Sequence, residues 1–118
     1  MKKINYYLDT SVLNFIFADD SPEKKQITLD FFKDVRSEGL EIYISDMVID
    51  EIGSAPDPIR IELQKLLKEY APVNLEMDLE ARELAQKYIS EGIIPERYRN
   101  DALHIAVAIE LITPEEAF

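Results

Sequence analysis

The sequence predicts an α/β fold, in which a parallel sheet of three or four strands is flanked by helices. Two observations support this prediction. Short apolar runs rich in β-branched and aromatic residues recur along the chain, as expected for buried strands. Between them lie longer segments whose apolar residues repeat at helical spacing. Alternation of the two patterns is typical of parallel strands joined by crossover helices.

The first strand is predicted over residues 3–8, and a long helix follows it. Ser21 and Pro22 begin that helix, with the serine hydroxyl as its cap and the proline at the first helical position. Gly39 ends it. Apolar residues four positions apart are expected to form the inner stripe of this helix: Ile27, Phe31 and Val35.

The second strand is predicted over residues 41–45, and residues 46–52 then form one or two helical turns. The next helix stops before Pro72 and buries one apolar face: Leu63, Leu66, Leu67 and Tyr70.

A short third strand over residues 73–76 precedes two more helices. The first of them ends at Gly92 and has an apolar stripe: Ala81, Leu84, Ala85 and Tyr88. The second covers residues 99–108 and offers four residues for packing: Ala102, Ile105, Ala106 and Ile109.

Composition limits the classes of function. A chain of 118 residues, 47% hydrophobic and 31% charged, is expected to form one globular domain over residues 1–118. It has no Cys, which excludes disulfides and thiolate metal sites and suits the cytoplasm, where we expect the protein. No apolar run approaches the ~20 residues of a membrane span. The net charge of −11 argues against a broad basic surface for nucleic acid but suits a basic protein partner.

Three acidic residues occupy positions that chain direction can bring to one edge of the sheet. Asp9 ends the first strand, Glu51 lies one short helix beyond the second, and Asp101 lies in the first turn of the last helix. Ligands of parallel sheets bind beyond the carboxyl ends of the strands. Simpler interpretations remain open: a turn residue for Asp9, a solvated helix residue for Glu51 and an acid that complements the helix dipole for Asp101.

The segments around these acids resemble the first three motifs of PIN-domain proteins, in the same order. The motifs are Tyr-Leu-Asp-Thr-Ser at residues 7–11, Ile-Ser-Asp-Met-Val-Ile-Asp-Glu-Ile at 44–52 and Asn-Asp-Ala-Leu-His-Ile-Ala-Val-Ala at 100–108. Each motif alone is weak, but the ordered set in one short chain is fairly specific. PIN domains are small α/β nucleases that cleave RNA with Mg²⁺ or Mn²⁺, and many are VapC-type toxins paired with an antitoxin.

The resemblance implies a catalytic role and a metal-binding role for Asp9, Glu51 and Asp101. Ser11 and Ser45 match small polar residues that support the acids. Such a site suits the chemistry, since Mg²⁺ prefers oxygen ligands and a bound ion activates water and stabilises charge on phosphate oxygens. The implied function is a metal-dependent endoribonuclease with an RNA substrate, and the toxin half of a toxin–antitoxin pair.

One departure from the family pattern leaves a second function open. The chain ends ten residues after Ala108, where the family usually continues with a further strand and helix. A truncated sheet would lack a strand and leave the metal site open on one side. The alternative is therefore a catalytically degenerate PIN-like binding module. A truncated sheet also favours a homodimer, with contacts expected from residues 15–17, Phe31 and Phe32.

Overall fold

The sheet has three strands in the order β1–β2–β3 within residues 5–112, which are the residues that the computed structural model describes. The strands are β1 (Asn5–Tyr7), β2 (Glu41–Ser45) and β3 (Val73–Leu75). β1 and β2 run parallel, with Asn5 opposite Glu41 and Tyr7 opposite Tyr43. The predicted α/β fold, with a parallel sheet and flanking helices, is confirmed. Residues 3 and 4 of the predicted first strand lie outside the described residues.

Six α-helices occupy the described part of the chain: α1 (Thr10–Asn14), α2 (Pro22–Glu38), α3 (Asp46–Gly53), α4 (Ile59–Tyr70), α5 (Leu79–Ser90) and α6 (Arg99–Ile112). Two short 3-10 helices, Phe15–Phe17 and Glu96–Tyr98, complete the elements. Within residues 5–112 no helix combines the length and the apolar character that crossing a bilayer requires.

The chain divides into two units, Met1–Asn74 and Leu75–Phe118. The first contains β1, β2 and helices α1 to α4, and the second contains α5 and α6. The interpretation of residues 1–118 as one domain stays a prediction.

The first unit has a continuous apolar core drawn from β2, four helices and the residue that follows β1: Leu8, Leu13, Phe32, Val35, Ile42, Ile44, Val48, Ile52 and Leu63. Phe32 stacks against Tyr70 of α4, with ring centroids 4.8 Å apart. This core fixes the ends of β1 and β2, from which the candidate site is built.

Helix α2 confirms its predicted end and part of its predicted inner stripe, since Val35 is buried and Phe31 packs against the core. Gly39 follows the helix with φ 64°, a left-handed conformation that glycine adopts without steric cost. Ile27 is 69% exposed, whereas Thr28, Phe32 and Val35 are buried. Thr28 can be buried because its hydroxyl donates to the carbonyl of its own helix four residues earlier, at 2.8 Å. The expected cap was also wrong, because the Ser21 side chain makes no capping hydrogen bond.

In the second unit, α5 packs against α6. Four alanines and one valine of these helices are buried, and the small alanine side chains allow the helices to approach closely: Ala81, Ala85, Ala102, Ala106 and Val107. Ile105 is 46% exposed, so its predicted packing role is wrong, and Val107 lies on the buried side in its place.

Candidate metal-binding site

Asp9 lies at the junction between β1 and α1. It follows the buried Leu8 and is the N-cap of α1, with an extended backbone (φ −88°, ψ 173°). Its Oδ1 accepts a hydrogen bond from the backbone N–H of Val12 at 3.0 Å. Aspartate at this position satisfies one of the N–H groups that a helix start leaves without a partner. The cap therefore fixes the direction of the carboxylate at the carboxyl end of β1.

Glu51 reaches the same junction from α3. Its Oε1 accepts a hydrogen bond from the Thr10 hydroxyl, with 3.2 Å between the two oxygens. Thr10 is the first residue of α1 and directly follows Asp9. Because Glu51 is half-buried and bonded to the neighbour of Asp9, the two acids belong to one local cluster.

Tyr7 and Ser45 form a second link between the same elements. The Tyr7 hydroxyl lies 2.8 Å from Ser45 Oγ, and Ser45 is fully buried at the end of β2. Burial raises the pKa of Tyr7 to about 12. The hydrogen bond with Ser45 acts in the opposite direction, and the negative charges of Asp9 and Glu51 raise the pKa further. Both carboxylates are thus close enough to act electrostatically on one phenol.

This arrangement fits a hard divalent cation. Two carboxylates supply negative oxygen ligands, and Mg²⁺ is commonly held by one or two carboxylates while keeping several waters. Like charges held in one cluster repel, and a bound cation removes that repulsion.

The remaining predicted residues occupy the following places. Asp101 is exposed in the first turn of α6, in the second unit. Ser11 is exposed in α1. Within residues 5–112, no group of three or more Asp, Glu, His or Cys side chains is placed to hold a metal ion. The site of three acids, with Ser11 in support, stays a prediction.

Two residues that contact the cluster were not singled out from the sequence, namely Tyr7 and Thr10. Tyr7 lies two positions before Asp9, and that spacing places both side chains on one side of an extended segment. Thr10 directly follows Asp9 in the first motif, where a hydroxyl is available to a neighbouring carboxylate.

Comparison with known proteins identifies the family. The family model described as PIN domain matches residues 6–112, a range that contains the candidate acids Asp9, Glu51 and Asp101. A search of curated proteins and a search of solved structures gave no significant match. The match covers nearly the whole chain and agrees with the observed fold. The chain therefore belongs to the PIN-domain family.

Proposed function

We propose that this protein is a metal-dependent endoribonuclease of PIN type that uses Mg²⁺ or Mn²⁺. PIN domains are typically metal-dependent nucleases that act on RNA or other nucleic acid. The observation that carries the proposal is the cluster of Asp9 and Glu51 beyond the carboxyl ends of β1 and β2, which is where parallel sheets bind their ligands.

The roles proposed for Asp9 and Glu51 rest on their positions: both hold the ion. The third proposed ligand is Asp101, and its role rests on its match to the third motif of the family. Thr10 orients Glu51 by donating to its Oε1. When bound, the ion neutralises developing charge on the phosphate oxygens and lowers the pKa of the attacking water. A cation in the cluster also reduces the repulsion between an acidic protein and an RNA backbone.

A cleavage assay on single-stranded RNA tests the proposal. We expect cleavage with Mg²⁺ or Mn²⁺ and none with excess EDTA. Asp9→Asn, Glu51→Gln and Asp101→Asn should each lower kcat about 100-fold or more, because each removes a charge from the site. Asp50→Asn is the matched control, since Asp50 precedes Glu51 in α3 and is exposed. It should retain activity within about twofold. Full activity in all three site variants would refute the assignment.

The alternative is a PIN-like module that binds a partner without cleaving RNA. The same assay separates the two functions, because a binding module would show no metal-dependent cleavage at any Mn²⁺ concentration.

We further propose that the protein is a toxin of a toxin–antitoxin pair and acts in the cytoplasm. The net charge of −11 supports a basic protein partner. If the neighbouring coding sequence encodes a small basic protein, co-expression with that protein should relieve growth inhibition. Growth inhibition that is equal in the wild type and the Glu51→Gln variant would contradict a nuclease toxin.

A homodimer is the proposed assembly. Its support is an apolar cavity of about 330 Å³ beside the exposed Ile27, lined also by residues of β1 and α2 that include Tyr6 and Phe31. Phe31 packs edge-on against Tyr6, with ring centroids 5.2 Å apart. Phe32 belongs to the core and is only 3% exposed, so it is unsuitable as an interface probe. Light scattering on the Ile27→Glu variant should show a monomer where the wild type is a dimer.

A further inference from the structure

Ser45 stands at the start of α3 but does not cap it with its side chain. It is the N-cap residue, with an extended backbone (φ −132°, ψ 172°), and its side chain makes no capping hydrogen bond. Serine is among the preferred N-caps because its hydroxyl usually accepts a backbone N–H of the first turn. Here the buried hydroxyl is hydrogen-bonded to Tyr7 instead. The stabilisation that a capping bond would give α3 is thus replaced by a link to β1.

That link joins the segments that carry the two acids of the site. Tyr7 is the last residue of β1 and lies two residues before Asp9, while Ser45 directly precedes the helix that carries Glu51. Tyr7 pairs with Tyr43 in the sheet register. The Tyr7 side chain nevertheless contacts Ser45, which lies two residues after Tyr43 in β2, so the Tyr7 ring extends along that strand. A side chain that spans this offset resists sliding of β1 against β2, and sliding would separate Asp9 from Glu51.

We propose that Tyr7 is a positioning residue of the metal site: its hydrogen bond to Ser45 holds the segments that carry Asp9 and Glu51 together so that both carboxylates bind one divalent ion. The inference rests on the proposed nuclease function and deepens it. Tyr7 acts through Ser45 and the two strands and does not itself touch the substrate.

Electrostatics favours the same role. Two carboxylates repel each other before an ion binds, and a fixed framework prevents them from moving apart. Preorganised ligands bind a metal more tightly because less ordering accompanies binding.

Calorimetric titration of the whole protein with Mn²⁺ tests the inference. Tyr7→Phe keeps the ring and removes only the hydroxyl, and Ser45→Ala removes the partner. Each should weaken Mn²⁺ binding about tenfold, as expected when a residue that orients a ligand loses its hydrogen bond. The double variant should be no weaker than either single variant, because both changes delete the same bond. Tyr6→Phe is the matched control and should stay within about twofold, since the Tyr6 ring packs against Phe31.

RNA cleavage gives a readout that general loss of folding would not produce. Tyr7→Phe should need about tenfold more Mn²⁺ for half-maximal cleavage, and saturating Mn²⁺ should restore the wild-type kcat. Unchanged Mn²⁺ affinity in Tyr7→Phe and Ser45→Ala, with a wild type that binds the ion, overturns this inference alone. A wild type that binds no Mn²⁺ overturns the proposed function and the inference together.

Discussion

Replacing Asp9 with Asn and with Ala separates the two roles of its carboxylate, because the chain has a second aspartate in the same structural role. Asp9 caps α1 through Val12 N–H at 3.0 Å, and Asp78 caps α5 through Ala81 N–H at 2.9 Å. The two backbones agree closely, with φ and ψ of −88° and 173° for Asp9 and −83° and 179° for Asp78. Asp78 therefore serves as the matched control for a cap that belongs to no predicted site.

The expected changes in stability follow from the capping bond. Asp9→Ala removes the acceptor and should lower the free energy of unfolding by about 1 kcal/mol. In a chain of this size that loss shifts Tm by about 4 °C. Asp9→Asn keeps an acceptor oxygen, and Asn caps helices about as well as Asp. Since it also removes repulsion with Glu51, the metal-free Asn variant should be at least as stable as the wild type.

Thermal unfolding with and without Mn²⁺ measures both roles together. An ion at 100 times its Kd stabilises the folded state by about 2.7 kcal/mol. We expect this stabilisation in the wild type and in Asp78→Asn and Asp78→Ala. Asp9→Asn should lose most of it while keeping the metal-free Tm, and Asp9→Ala should lose both.

Two results would refute the reasoning. Mn²⁺ that stabilises Asp9→Asn as much as the wild type would show that Asp9 only caps α1. A metal-free Tm for Asp9→Asn as low as that of Asp9→Ala would show that the asparagine oxygen does not replace the carboxylate at the cap.

Two further predictions concern the core and pH. Leu63 is fully buried, so Leu63→Ala should lower the free energy of unfolding by about 2–5 kcal/mol in urea titrations. Gln64→Ala at the exposed neighbouring position should change it by less than about 0.5 kcal/mol. Equal effects at the two positions would contradict the observed buried face of α4. Burial raises the pKa of Tyr7 to about 12, so the folded state keeps the phenolic proton to higher pH than the unfolded state does. The contribution of Tyr7 to the free energy of unfolding should therefore be fully present below pH ~10 and be lost as the pH rises from ~10 to ~12. Ultraviolet titration should therefore show one late tyrosine that is absent in Tyr7→Phe, and identical titration curves would contradict the burial.

Much of the fold was predictable because its signals are local. β2 was predicted at its observed bounds from one run of β-branched and aromatic residues, and Gly39 marked the end of α2. The inner stripe of α2 was not predictable from spacing alone, because Ile27 and Thr28 begin adjacent stripes that fit a helix equally well. The polar member of the pair is buried, since its hydroxyl is satisfied within its own helix.

Chain direction alone predicted that the candidate acids lie near strand ends. It did not predict a contact between side chains of different strands. Asp9, Glu51 and Asp101 were expected together at one edge of the sheet, and that site of three acids stays a prediction. The hydrogen bond from the Thr10 hydroxyl joins Glu51 to the residue that follows Asp9. The bond between Tyr7 and Ser45 depends on the register of β1 against β2, which no local pattern specifies. Its signal in the sequence is only a tyrosine two positions before an acid.

Charge at positions 9 and 51 supports the proposed ligand role, because neither the hydrogen bond from Val12 N–H to Asp9 nor the one from the Thr10 hydroxyl to Glu51 requires it. Asn or Ser would cap α1 about as well as Asp9 does. Gln would accept the Thr10 hydroxyl through its amide oxygen as Glu51 does through Oε1. Neutral side chains would also avoid the repulsion between two half-buried carboxylates. Carboxylates at both positions thus supply negative charge that a bound divalent cation would neutralise, as the proposed metal site requires.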